Sequence, residues 1–246
     1  MNKKLASLLM AAAFLGSICL TAVIADTLKL DDVIKNIQSN QSKIKDMYAE
    51  TTTVINSTIS RAGSKAPQQM TQKAKMWTKG TDKSRIEVTS PVKQVTINNG
   101  EKVEMINTET GQKYVQDLKK LKAKGAPDQS IASNFDSAKK FFDLSVKPDG
   151  SNYIIVGVPK EKNKFLGKME FTIDSSRWVP VKMSMYDPKG KLVGVSEIEY
   201  KQISGIWVPS KNISRVESPM GKMSIEMSFD KLSINQGVND SEFKIE

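Results

Sequence analysis

Apolar and polar positions alternate along most of this chain. Four short alternating segments lie between Lys75 and Tyr114, each closed by turn chemistry. One ends at Trp77. Arg85–Thr89 is stopped by Pro91, Val92–Ile97 runs into Asn98-Asn99-Gly100, and Val103–Ile106 leads into the turn-rich stretch 107–111. A period of two places an apolar face on one side of each segment and a wet face on the other. Turns this short force antiparallel neighbours. The pattern therefore predicts a meander with one apolar face, closed by Tyr114 and Val115.

Helical spacing appears only near the start and in the middle. Val33, Ile34, Ile37, Ile44 and Met47 fall on one stripe, broken at Gln41, and predict a helix over Leu30–Tyr48 that docks on the sheet. Asp31 and Asp32 in its first turn suit the helix dipole. Ala49–Ser60 and Gln69–Lys79 read as strands joined by a loop. From Asp117 to Asp143 the pattern breaks into Lys-rich helical turns around Gly125-Ala126-Pro127, then a short helix over Ile131–Asp143 presenting Phe135, Ala138, Phe141 and Phe142. We read this break as a lid rather than a domain boundary, because neither flanking half is long enough to make a sheet that curls. Strands resume at Tyr153–Val158, Lys168–Ile173, Val179–Met185, Leu192–Tyr200, Ile206–Val216 and Met223–Phe229, with Pro209 marking an edge or a bulge. The total is about eleven antiparallel strands.

Composition narrows the function. Met1-Asn2-Lys3-Lys4 precedes an apolar run from Leu5 to Ile24 that ends Val23-Ile24-Ala25, the pattern of a secretory signal peptide cleaved after Ala25. The competing readings are an uncleaved anchor and lipidation at Cys19, whose preceding Gly16-Ser17-Ile18 does not fit a lipobox. Cleavage removes the single cysteine, and the chain has no histidine. Disulfides, thiol nucleophiles, imidazole metal sites and a Ser-His-Asp triad are then excluded, and no cofactor is implied. The net charge of +10 falls to +8 when Lys3 and Lys4 leave. In an exported protein such a charge favours an anionic membrane or an acidic partner over nucleic acid. Residues 26–246 suffice for a single domain.

The apolar faces are rich in methionine: ten of the 12 methionines lie beyond residue 25. Met169, Met183, Met185, Met223 and Met227 alternate on consecutive predicted strands and are expected to cluster. Methionine suits a surface that must accept varied apolar shapes, although it also fills cores. A sheet of about eleven strands has more apolar face than the few predicted helices can cover, and a partly covered concave face is a site for an apolar ligand. The candidate lining is Trp77, Ile86, Val88, Val95, Ile97, Met105, Phe141, Phe142, Met169, Phe171, Met183, Met185, Met223, Ile225 and Met227. Glu101, Glu104, Glu197 and Glu199 alternate with apolar residues and are expected to face water, which leaves no catalytic residue.

The order of signal peptide, amphipathic helix and long strands is followed by Trp77-x-Lys79, by Arg85-Ile86-Glu87-Val88-Thr89-Ser90-Pro91 and by Asn99-Gly100-Glu101-Lys102-Val103. It resembles the outer-membrane lipoprotein carrier family, LolA, and its lipoprotein-sorting relatives. Ile173-Asp174-x-x-x-Trp178-x-Pro180, Asp187-x-x-Gly190 and Gly205-Ile206-Trp207-Val208-Pro209 are similar to the wider set. The resemblance implies an incomplete β-barrel of about eleven strands closed by an N-terminal helix and a short helical lid. It also implies a monomeric, non-enzymatic periplasmic carrier of acylated lipoproteins or lipids, served by an inner-membrane exporter and an outer-membrane acceptor. Gly80 stands where the known carriers have a lid-holding arginine, and the nearest basic residues are Lys79 and Lys83. The alternative is a periplasmic sensor of the RseB-like type that restrains an anti-sigma factor. Such proteins usually carry a further C-terminal domain, for which a chain ending at Glu246 leaves no room.

Overall fold

The computed structural model describes residues 28–58, 68–123, 135–218 and 221–245. The predicted signal peptide, the loop after the first strand and the middle of the predicted lid lie wholly or largely outside them. In chain order the elements are α1 (Leu30–Gln41), β1 (Asp46–Ser57), β2 (Gln68–Lys79), β3 (Lys83–Ser90), β4 (Gln94–Asn99), β5 (Lys102–Asn107), β6 (Lys113–Asp117), α2 (Leu118–Ala123), α3 (Phe135–Ala138), β7 (Phe142–Asp149), β8 (Asn152–Pro159), β9 (Lys168–Asp174), β10 (Val179–Tyr186), β11 (Leu192–Ile203), β12 (Ile206–Ser218), β13 (Gly221–Ile234) and a 3-10 turn (Asp240–Phe243).

All thirteen strands form one antiparallel sheet in the order β6-β5-β4-β3-β2-β1-β13-β12-β11-β10-β9-β8-β7. Two meanders are joined where β1 pairs with β13. β6 and β7 are the free edges, so the barrel is incomplete. Among the described residues no helix is long and apolar enough to cross a membrane.

Four expectations are corrected. The first helix ends at Gln41, and Met47 belongs to β1. Ser42 closes the helix, its backbone N–H bonding Gln38 and its hydroxyl bonding Ser39. The strand count rises from about eleven to thirteen because β6 is a full strand and because Phe142, expected on a helix, opens β7. Leu144 and Val146 continue the alternation begun by Phe142, a signal visible in the sequence. Pro209 lies on a central strand, at a register shift opposite Glu199/Tyr200, so the bulge is present and the edge is not. Glu104 is 2% exposed, not solvated, and its charge is held by an ion pair with Lys113 across the β5–β6 ladder.

The described core has two separate parts. Val33, Ile34 and Ile37 of α1 pack with Phe135, Ile155 and Ile173 over β8 and β9. Val95 and Ile97 of β4 pack with Phe243 of the C-terminal 3-10 turn, flanked by Trp77, Val238 and Ile245.

Candidate functional site

Directly opposed residues in an antiparallel ladder share a face, so the register assigns sides across the whole sheet. One row runs Met70, Ile55, Ile225, Ser214, Ser196, Met183, Phe171, Ile155, Val146, from β2 to β7. A second runs Leu232, Ala49, Met76, Ile86, Thr96, Met105, Tyr114, from β13 to β6. Both rows lie on the face that carries α1. There α1 covers β8 and β9 and reaches β7 and β10. From β11 to β6 this face lies beyond the α1 cluster, α2 touches β5, and Met70, Ile86, Met105 and Tyr114 stand 43%, 37%, 39% and 59% exposed.

Eleven of the fifteen predicted lining residues share this face: Ile86, Val88, Met105, Phe142, Met169, Phe171, Met183, Met185, Met223, Ile225 and Met227. None of the eleven is fully buried. Phe141 sits in the turn just before β7, 40% exposed. Trp77, Val95 and Ile97 lie on the opposite face, where Val95 and Ile97 are core under Phe243. The five methionines form two groups, Met169, Met183 and Met185 on β9–β10 and Met223 and Met227 on β13. Between them lies a strip of small and polar residues. Met185 fills the space over Gly194, where a Cβ would overlap its terminal methyl. Ser196 and Ser214 both reach Asn212 Oδ1 at 3.0 Å. Beside this strip a groove of about 660 Å³ opens at the end of the sheet between Leu192, Gly194, Val216 and Met223.

The opposite face carries ion pairs on β9 and β11–β13, where Arg215 pairs with Glu197, Lys211 with Glu226 and Lys168 with Glu170. On its other half the C-terminal turn is clamped in place. Lys79 and Lys83 both donate to Asp240 at 2.9 Å, which holds that carboxyl below its ordinary pKa. Arg85 reaches the Glu242 carbonyl and stacks over Trp77. The two lysines nearest Gly80 therefore hold the C-terminal turn, while Gly80 takes the positive φ of a tight turn, 63°. Sequence reasoning missed Asp240 and Phe243. Their signal was an aromatic residue three positions after an acid in a polar tail.

The motifs that carried the resemblance fasten α1 and the strand ends. Asp174 accepts from the Ser176 and Arg177 backbone and pairs with the Arg177 guanidinium at 2.6 and 2.7 Å. Arg177 lies over Trp207 and Tyr200, and Trp178, at φ 53°, stacks on Tyr153 beneath α1. The Tyr200 hydroxyl donates to the Pro180 carbonyl, and burial pushes its pKa up to about 12. Among the described residues no group of acidic residues is placed to hold a metal.

A family model described only as an uncharacterized protein matches residues 145–246. No curated protein matches the chain. Among solved structures, a DUF1329 family protein from Desulfovibrio piger superposes with a TM-score of 0.60 at 16% identity, covering 87% of this chain and 95% of that one. A putative outer membrane lipoprotein-sorting protein domain from Vibrio parahaemolyticus gives 0.58 at 13% identity, covering 87% and 97%. A LolA superfamily protein from Nitrosomonas europaea gives 0.55 at 11%, covering 89% and 98%. The fold of this chain is that of the LolA superfamily and lipoprotein-sorting structures.

Proposed function

We propose that the protein is a periplasmic carrier that shields the acyl chains of lipoproteins or other lipids against the α1 face and delivers them to the outer membrane. In this reading residues 1–25 are a signal peptide and residues 26–246 a single carrier domain that works as a monomer, with an inner-membrane exporter and an outer-membrane acceptor as partners. The observation that carries it is the apolar face that continues beyond the α1 cluster, its side chains half-buried or exposed rather than packed.

Each buried methylene contributes about 0.8 kcal/mol, so two or three acyl chains left in water would aggregate or insert at random. Methionine side chains adapt to chains of different shape and keep the affinity moderate enough for release. Transfer of this kind makes and breaks no bond and needs no nucleophile. The eleven residues that share the α1 face are the proposed lining. Trp77, Val95 and Ile97 are assigned instead to the seat of the C-terminal turn.

The test is native mass spectrometry of protein recovered from the periplasm, with extraction of whatever accompanies it, followed by addition of a triacylated peptide. A bound acylated peptide or phospholipid is the expected result. Failure to bind the triacylated peptide, with the fold intact by circular dichroism, would reject the carrier and favour a sensor.

A further inference from the structure

Antiparallel strands bring alternate turns to the same rim of a sheet. The segment before β7, the turn between β8 and β9 (residues 160–167) and the turn between β10 and β11 (residues 187–191) share one rim, which is also where the 660 Å³ groove opens. These three pieces are tied together. Lys160 N–H bonds the Phe141 carbonyl at 2.9 Å, and Gly167 N–H bonds the Tyr186 carbonyl at 2.7 Å. Gly167 lies so close to Asp187 and Pro188 that any side chain there would strike their backbone.

This platform carries an unusual surface. Phe165 is 83% exposed, raised by a turn in which Asn163 Oδ1 accepts from the Phe165 and Leu166 backbone at 2.8 and 3.1 Å. Phe141, Val158 and Leu192 stand 40%, 45% and 47% exposed at the same rim. Among the described residues, none of the large exposed apolar side chains lies at the opposite rim. Lys140, Lys162, Lys164 and Lys189 are exposed at this rim and have no acidic partner among the described residues. Of the nearby acids, Asp187 already caps its own turn through the Lys189 and Lys191 backbone, Asp143 pairs with Lys160, and Glu217 pairs with Lys191 and Lys222, which leaves Glu161.

We propose that this rim docks on an anionic lipid membrane, with Phe165 entering the interface and the four lysines facing lipid phosphates. A protruding aromatic side chain on a rim that carries lysines suits that boundary, because the ring is buried among acyl chains while the ammonium groups remain at headgroup level. Each lysine near such a surface strengthens partitioning about fivefold. Docking here sets the groove between Leu192 and Met223 against the bilayer, where a lipid would enter or leave. That last link rests on the carrier reading; the docking itself does not.

The test uses protein beginning at Asp26, which keeps every described element, in flotation with vesicles of phosphatidylglycerol and phosphatidylethanolamine or of phosphatidylcholine alone. The expected result is binding to the anionic vesicles that weakens in high salt. Phe165→Ser and the pair Lys162→Glu/Lys164→Glu should each lower partitioning at least tenfold, with thermal melting unchanged. Wild-type protein that ignores anionic vesicles, or variants that bind as wild type, would overturn the proposal. Triacylated-peptide binding in free solution is read separately. Its absence alongside charge-dependent flotation would remove the carrier and leave the docking surface standing.

Discussion

Ile155 and Met183 lie on the same face and in the same cross-strand row, two strands or about 10 Å apart. They differ in cover, since Ile155 is 0% exposed beneath α1 and Met183 is only half-buried. Replacing each by glutamate therefore separates core from binding surface. Beneath α1 the new carboxylate must take up a proton to stay buried. With an ordinary pKa near 4.3, that costs about 1.36 × 2.7, or about 3.7 kcal/mol, at pH 7. Lost isoleucine burial adds about 2 kcal/mol. The sum rivals the whole stability of a typical domain, about 5–15 kcal/mol. Ile155→Glu should therefore unfold or nearly unfold the protein in a guanidinium titration. Met183→Glu leaves its carboxylate in water and should cost about 1 kcal/mol or less. The penalty moves to ligand binding, because an acyl chain laid over Met183→Glu must neutralise it. About 3.7 kcal/mol is roughly 500-fold in affinity at pH 7. At pH 5 the same protonation costs only about 1 kcal/mol, and binding should return to within about tenfold of wild type. Triacylated-peptide titrations at the two pH values measure this directly. Equal destabilisation by both substitutions, or normal binding by Met183→Glu at pH 7, would refute the assignment of this face.

Phe243→Ala should cost about 3–5 kcal/mol, measured by guanidinium unfolding, because the ring is 3% exposed between Val95 and Ile97. Asp240 has a lowered pKa, so its ion pairs with Lys79 and Lys83 are present above the ordinary carboxylate range and are lost as pH falls through the folded value. Proteolysis of the C-terminal turn should accordingly speed up at low pH, and Asp240→Asn should abolish that dependence. Tyr48 and Tyr200 both have pKa values raised to about 12, by burial first and, for Tyr48, by its hydrogen bond to Glu50. Absorbance at 295 nm should show these two tyrosines among those still neutral near pH 11, with stability falling as pH climbs from the ordinary value of 10 toward 12. Asn212→Leu removes a half-buried amide from the strip between the two methionine groups and should tighten binding of a plain alkyl probe by about threefold to tenfold, read by fluorescence titration.

The periodicities of the chain made the antiparallel sheet legible. Met169, Phe171 and Ile173 do share a face, as do Met183 and Met185, and Met223, Ile225 and Met227. Legibility stopped where a feature depended on something distant in sequence. Trp77 lies on the opposite side of β2 from Met76, and both sides of that strand carry large apolar groups, so alternation could not choose between them. Val95 and Ile97 alternate as cleanly as any lining residue, but they are core because Phe243, far along the chain, lies on them. Glu104 reads as a solvated carboxylate until Lys113, on the next strand, is placed across from its neighbour Ile106. Phe142 was drawn into a helix by the Phe135–Ala138 turn before it, whereas Leu144 and Val146 show that the two-residue period had already begun.

The two covers help explain why an open apolar surface survives on a folded protein. Among the described residues, the two buried clusters of this thirteen-stranded sheet are built on α1, with Phe135 of α3 beside it, and on the C-terminal 3-10 turn. The chain places these two pieces on opposite faces and on opposite halves, α1 over β8 and β9 and the C-terminal turn over β3 and β4. Each half of the sheet thus gains its own small core and is anchored independently. Had the C-terminal turn docked beside α1, it would have filled the face that carries Ile86 and Met105 and left Val95 and Ile97 in water. The location of Phe243 is therefore as consequential for the apolar surface as any residue lining it. Releasing the C-terminal turn should expose a second apolar patch on the far face without altering the first.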